Sequence, residues 1–318
     1  MARFNKLIKD DKQHKAWTSQ RIRELQKLQS LPLPLKLAKT EWLISEAVDR
    51  YGINAVAVSN SMGKDSGVLS HILRQLYPDV LNIYANTGCE YPECVKLYRK
   101  QAQEFNLIMI SPRKGWTFKK VVEEYGYPMF SKYLARLIYC YHLPNRDKQK
   151  LLKYIKTYFA KYVKYIGIKL SDKCCELLKH GEIKKYQRSH GIKCAIIGTL
   201  ATESMLRKMS WVDYGCNVFE KTRDPRSRPM SFWTERDVWA YIREFDVEIA
   251  DIYRMGYTRN GCVFCGFGVH LDKTPNRIQR LAWTHPHMYR YLVRHFKQYF
   301  DDCDIDITPV GIQTTINF

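Results

Sequence analysis

The chain has 318 residues, 45% of them hydrophobic, which is enough to bury a full α/β core. It has no uninterrupted apolar run of membrane-helix length, and Met1-Ala-Arg-Phe-Asn-Lys6 lacks a signal-peptide apolar segment, so a cytoplasmic protein without membrane contact is expected. The net charge of +20 is local: residues 1–40 hold ten Lys/Arg against three acids and residues 132–193 hold sixteen against four, the pattern of surfaces that meet a polyanion.

In chain order, Asp10 to Ser30 reads as a basic helix ended by Leu31-Pro-Leu-Pro-Leu35, because each Pro removes an amide donor and restrains its predecessor. A second helix is expected from Lys39 to Tyr51. Ile53 to Val58 is a short β-branched run suited to a buried parallel strand. Gly67 to Leu76 then places Val68, Leu69, Ile72, Leu73 and Leu76 at helical spacing. Between strand and helix lies Ser59-Asn-Ser-Met-Gly63-Lys-Asp-Ser66. Its hydroxyls (Ser59, Ser61, Ser66), the Lys64 ammonium and the amides of the helix N-terminus can converge on an anion. The spacing is not that of a Walker A loop, since Asp65 stands where that loop needs Ser or Thr for magnesium.

This stretch resembles the PP-loop of ATP pyrophosphatases in the Ser-x-Ser-x-Gly-Lys-Asp-Ser form of the phosphoadenosine phosphosulfate (PAPS) reductase family. The resemblance implies an adenine nucleotide α-hydrolase-like α/β fold, a three-layer sandwich with a mostly parallel sheet. It also implies ATP and Mg²⁺ as ligands, with Lys64 and Asp65 as catalytic candidates and Ser59, Ser61, Gly63 and Ser66 as further phosphate contacts.

Val80 to Ala85 reads as the next strand, and Asn86-Thr-Gly88-Cys-Glu90-Tyr-Pro-Glu93 at its end resembles the family's Asp-Thr-Gly-x-Glu-hydrophobic-Pro-Glu segment. That adds Thr87, Gly88 and Glu90 to the nucleotide candidates, while Asn86 replaces the usual carboxylate. Leu97 to Phe105 continues as a helix and Leu107 to Ile110 as a third strand. From Arg146 to Lys169, apolar residues from Leu151 to Ile166 recur at helical spacing among lysines. This predicts a basic helical insert at about 145–170, with aromatics in the core and lysines toward phosphate.

Ala195 to Gly198 is a further strand. Gly198-Thr-Leu-Ala-Thr-Glu203-Ser with Arg207 resembles a family segment that meets the nucleotide, although Leu200 stands where many members carry Arg. Arg223-Asp-Pro225 and Pro229 to Trp239 match the family's closing motif. Thr234 and Asp237 have capping-box spacing there. The resemblance implies a PP-loop PAPS reductase-like domain over 46–245, flanked by a basic helical N-terminal extension (1–45) and a small helical C-terminal region containing the C-x-x-C pair (246–318).

Ten cysteines in a chain read as intracellular point to metal or thiol chemistry. Cys174-Cys175 with Cys262-x-x-Cys265 leaves a four-iron cluster, zinc and reduced thiols open. The arrangement resembles the [4Fe–4S] site of adenylyl-sulfate reductases, which implies these four as ligands. A sulfonucleotide reductase also carries a late nucleophilic cysteine in Glu-Cys-Gly-hydrophobic-His, a motif this sequence lacks. Cys303 sits among Asp301, Asp302, Asp304 and Asp306, whose charges disfavour a thiolate.

The resulting expectation is an ATP pyrophosphatase that adenylates a target for sulfur transfer in nucleic acid, as in DNA phosphorothioation or tRNA thiolation. Expected partners are DNA or tRNA on segments 1–40 and 132–193, and a cysteine desulfurase or other sulfur-modification subunit. The alternatives are a sulfonucleotide (PAPS or adenylyl-sulfate) reductase and a non-catalytic nucleotide- or nucleic-acid-binding module.

Overall fold

A computed structural model describes residues 12–220 and 224–310. In chain order the main elements are α1 (Lys12–Gln29), α2 (Leu33–Tyr51), β1 (Val56–Ser59), α3 (Lys64–Leu76), β2 (Asn82–Ala85), α4 (Pro92–Gln101) and β3 (Leu107–Ile110). They continue with α5 (Phe118–Tyr125), β4 (Met129–Phe130), α6 (Lys132–His142), α7 (Lys148–Tyr158), α8 (Gly181–Ser189), β5 (Cys194–Ile197), α9 (Met205–Tyr214), β6 (Asn217–Val218) and β7 (Arg226–Ser227). Last come α10 (Glu235–Glu244), β8 (Gly266–Phe267), α11 (Arg277–Thr284) and α12 (Pro286–Asp301). Among the described residues no helix is long and apolar enough to cross a membrane.

The described residues form two compact units: those up to Tyr84, 94–109 and those between Gln187 and Ala250 in the first, and 85–93, 110–186 and those from Asp251 onward in the second. Each unit draws on segments that lie far apart in sequence. The segments that connect parallel strands are long enough to pack with residues far away in sequence.

The first unit carries an α/β fold with a mostly parallel central sheet in the order β3-β2-β1-β5-β7-β6. β1 pairs in parallel with both β2 and β5, and only β6 runs antiparallel, on β7. The register sets Val56 beside Cys194 and Val58 beside Ile196. Alternation along a strand therefore sends these four side chains to one face. There they join Ile44 of α2, Leu69 and Leu73 of α3, Trp211 of α9 and Val238 of α10 in one apolar core. The burial pattern of β1 and β2 explains why their sequences are nearly continuous in apolar residues.

Several helix boundaries differ from the sequence expectation; α3 starts at Lys64 and not Gly67, and α4 runs over Pro92–Gln101 and not Leu97–Phe105. α2 starts at Leu33, six residues before Lys39, because Pro34 falls in the first turn, where no amide donor is required. The basic insert is helical only over Lys148–Tyr158; the chain breaks at Phe159 and resumes as a 3₁₀ turn over Ala160–Tyr165. In this insert Leu151, Ile155 and Tyr165 are buried, and Tyr162 and Tyr165 pack on Phe130 at 4.8 and 4.7 Å between ring centroids. Lys148, Lys150, Lys153, Lys156 and Lys161 are exposed. The expected capping box is present: Thr234 N–H and Oγ donate to Asp237 Oδ2, both at 2.7 Å. Arg223, and residues 1–11 of the basic N-terminal segment, lie outside the described residues.

Candidate active site

In the first unit, Ser59 ends β1 opposite Ile197 of β5, and the next seven residues turn into α3. The turn is knitted by its own polar atoms. Ser61 N–H donates to Ser66 Oγ at 3.0 Å, the two hydroxyls lie 3.0 Å apart, and Met62 N–H donates to Asn60 Oδ1 at 3.0 Å. Ser66 Oγ also reaches Asn60 Oδ1 at 3.3 Å. Met62 adopts φ 60°, a left-handed conformation costly for a side chain of its size, and is held there by burial.

Lys64 is 6% exposed, with Nζ 3.0 Å from Asp65 Oδ1 and 3.4 Å from Glu235 Oε1. Gly198, at the end of β5, presses on the start of α3: a Cβ there would lie 2.8 Å from the Asp65 carbonyl oxygen. Ser59, Ser61, Gly63, Lys64, Asp65, Ser66 and Gly198 thus share one strand-edge neighbourhood. A buried ammonium, hydroxyls and a helix N-terminus make this an arrangement that can hold phosphate. Asn60, Met62 and Glu235 shape it as well, and the sequence reading passed over them. Asn60 could have been noticed, since an amide between two serines of a phosphate-type loop is a ready local acceptor; the pairing of Glu235 with Lys64 depends on tertiary structure.

Farther along, Glu203 Oε1 accepts from Leu200 N–H at 2.7 Å, and Glu203 Oε2 pairs with Arg207. The guanidinium of Arg207 is therefore already matched with a carboxylate. Leu200 is buried in the apolar core, which accounts for the apolar residue at that position.

In the second unit, Thr87 and Glu90 close their own loop. Thr87 N–H and Oγ1 each donate to the Glu90 carboxylate at 2.8 Å, while Gly88, at φ 80°, donates to Asn86 Oδ1 at 3.0 Å. Thr87 Oγ1 also lies 3.8 Å from Cys262 Sγ. This nucleotide candidate stands beside the cysteines.

The C-x-x-C segment is fixed by Val263 N–H donating to Cys89 O at 2.7 Å and by the β4–β8 pairing of Met129 with Gly266. Gly266 admits no side chain, since a Cβ would meet Pro128 O at 2.6 Å. Cys174 and Cys175 lie on a short helical turn, Lys173–Cys175, which runs into a π-helical segment, Glu176–His180.

The four thiols sense one another. Burial, then Cys265, pushes Cys262 up to about 12, and burial, then Cys175, raises Cys265. The hydrogen bond between the adjacent thiols raises Cys174 and, with Lys132 and Lys179, lowers Cys175. Cys89 is also raised, by burial and then by Cys262. It therefore belongs to this neighbourhood, a placement that the isolated cysteine in sequence did not reveal. Among the described residues no group of three or more His, Cys, Asp or Glu is arranged to hold a single metal ion. The donor set fits a multi-iron group chemically: four thiols from two segments, each of which is influenced by another of the four.

The model of the phosphoadenosine phosphosulfate reductase domain matches residues 55–141 and 115–266. An uncharacterized protein of Methanocaldococcus jannaschii is 23% identical over 257 residues, covering 79% of this chain and 49% of that protein. The chain thus spans about half the length of that relative. Adenosine 5'-phosphosulfate reductase of Staphylococcus epidermidis is 22% identical over 231 residues, with 71% of this chain and 76% of that one covered. Among solved structures, PAPS reductase from Candida auris in a phosphate complex aligns with 16% identity and TM-score 0.46, covering 80% of this chain and 97% of that chain. The U34-tRNA thiolase NcsA from Methanococcus maripaludis with its [4Fe-4S] cluster aligns with 12% identity and TM-score 0.37, covering 90% and 86%.

Proposed function

The chain belongs to the phosphoadenosine phosphosulfate reductase domain family, and from that premise we propose that it holds the phosphates of ATP on Ser59–Ser66 and adenylates a nucleic-acid acceptor for sulfur transfer. The observation that carries this reading is the buried ammonium of Lys64 in a hydroxyl-rich turn at the N-terminus of α3, with Gly198 packed against that turn.

An acceptor oxygen attacks the α-phosphorus as the bond to the bridging oxygen breaks and pyrophosphate leaves. Lys64 and the helix amides offset the charge that develops on the departing group. Asp65, beside Lys64, is the carboxylate for Mg²⁺, which binds through few carboxylates together with substrate phosphates. The terminal sulfur of a persulfide, carried by a cysteine desulfurase or another sulfur-modification subunit, then displaces AMP from the adenylated acceptor, and a thiol cleaves the resulting acceptor–S–S bond by forming a disulfide with the carrier cysteine. Cys174, Cys175, Cys262 and Cys265 would hold a [4Fe–4S] cluster, which when bound supplies a site for sulfur or electron transfer. Glu203 and Arg207 complete the proposed nucleotide contacts of the first unit; in the second unit Thr87 and Gly88 are proposed nucleotide contacts on a loop that Glu90 sets. The exposed lysines of α7 are the proposed nucleic-acid contacts.

A second reading, reduction of a sulfonucleotide, is favoured by the names of the curated relatives, several of them adenosine 5'-phosphosulfate reductases. Against Cys303 as its nucleophile stand its burial and a thiol pushed up to about 12 by burial, Asp302 and Asp304. Calorimetric titration with ATP tests the shared premise of both readings, an adenine nucleotide on this loop. Lys64→Ala should weaken binding by ~1.5–3 kcal/mol, the worth of a hydrogen bond to a charged group, with partial recovery in Lys64→Arg. Unchanged affinity would show that the nucleotide does not use the loop.

A further inference from the structure

The second unit contains an open cleft of about 620 Å³ whose lining includes Arg113, Lys114, Lys119, Trp116 and Tyr291, and no Asp or Glu. That volume is in the range of ligand sites, about 300–1,000 Å³. Its basic rim is built into the backbone. Trp116 N–H donates to Arg113 O at 3.0 Å, closing a four-residue turn with Gly115 at φ 87° in its third position, where a positive φ is required. Arg113 and Lys114 are exposed on that turn.

Trp116 is held by stacking on Tyr125, with centroids 6.2 Å apart and planes at 28°, and by the Lys120 ammonium 5.3 Å from its ring. Tyr291 is 39% exposed and rests on Phe264 at 5.2 Å. Phe264 lies between Cys262 and Cys265 in sequence and lines the same cleft, as does Cys89. The cleft therefore reaches the cysteine neighbourhood.

We infer that this cleft takes an unpaired base of a single-stranded nucleic acid, stacked on Trp116 or Tyr291, with the flanking phosphates on Arg113 and Lys114. Sequence-tolerant stacking on aromatics beside a cationic groove is the way single strands are held. The absence of any carboxylate from the lining suits a polyanion, and the fixed rings lose little freedom when a base binds. The inference rests on the nucleic-acid acceptor proposed above and deepens it by giving the acceptor a place.

Fluorescence anisotropy with the full chain and a labelled single-stranded oligonucleotide tests it. Arg113→Ala with Lys114→Ala should flatten the dependence of log affinity on log salt by about 1.4, at roughly 0.7 per lost phosphate contact. Trp116→Ala and Tyr291→Ala together should weaken binding of a base-bearing strand at least about fivefold while leaving an abasic strand unchanged. Trp116→Phe, which keeps a ring, should retain most of the affinity, and ATP binding retained in every variant shows that the chain is folded. Unchanged affinity, or equal losses for base-bearing and abasic strands, overturns the assignment. So does loss of adenosine 5'-phosphosulfate binding in the aromatic variants with strand binding intact. Strand-stimulated pyrophosphate release that ignores these variants defeats the cleft alone; strand binding through Trp116 without any cleavage of ATP defeats the adenylation reading alone.

Discussion

Gly198 approaches Asp65 so closely that a Cβ on Gly198 would sit 2.8 Å from the Asp65 carbonyl oxygen and 3.1 Å from Ser66 Cα. Both obstacles are backbone, so a side chain at 198 must push the start of α3 away from β5. Gly198→Ala is expected to cost about 1–3 kcal/mol, the range for overpacking a close contact, and to weaken ATP binding because the displaced turn carries Lys64. Urea unfolding and ATP titration of the variant check this. Unchanged ATP affinity would show that the turn need not press on β5 to bind nucleotide.

Lys36 is 2% exposed and donates to Asp237 Oδ2 at 2.6 Å and to Gln29 O at 2.7 Å. It thereby ties α2 to the capping box of α10. Lys36→Met leaves a poorly solvated carboxylate and should destabilise the protein by about 3 kcal/mol. Adding Asp237→Asn should recover part of that loss. Unfolding midpoints of the two variants decide whether the pair behaves as one unit.

His71 Nδ1 lies 3.0 Å from the Tyr241 hydroxyl, and burial, then Arg74, holds its protonation below the ordinary histidine range. The unfolded chain takes up this proton first as pH falls through about 6.5, so the contribution of His71 is complete above that pH and is lost below it. Urea midpoints should fall between about pH 7.5 and about pH 5.5. His71→Gln should make the fall shallower, and an identical slope would remove His71 as a cause.

Cys303 is 1% exposed and its thiol is pushed up to about 12 by burial, Asp302 and Asp304. It should resist iodoacetamide in the folded protein at mildly alkaline pH, where an ordinary thiol reacts through its thiolate. Turnover should survive Cys303→Ala. Abolished turnover with the fold intact would restore Cys303 as a nucleophile.

The β1–loop–α3 unit was legible because its evidence is local: a β-branched run, a polar turn and apolar residues at helical spacing. The mostly parallel sheet followed from the family resemblance carried by that unit. The start of α2 was harder to place, because Pro34 reads as a breaker until it is seen to fill a first-turn position. The break at Phe159 interrupts a pattern that periodicity alone would continue. Glu235 beside Lys64, and Cys89 beside Cys262, are partnerships of sequence-distant residues that no linear spacing announces. Nor could charge and composition show that residues 85–93 and 110–186 group with the C-terminal region.

The central claim is that a nucleotide held on Ser59–Ser66 is cleaved at its α-phosphate for sulfur transfer to nucleic acid. It is tested most directly by assaying anaerobically purified protein for pyrophosphate from ATP, with and without DNA or tRNA, beside sulfite from adenosine 5'-phosphosulfate and PAPS. The account predicts pyrophosphate release that is stimulated by one nucleic acid and abolished by Lys64→Ala. Sulfite release with ATP untouched would contradict it in favour of a reductase, and nucleotide binding without either product would leave a binding module.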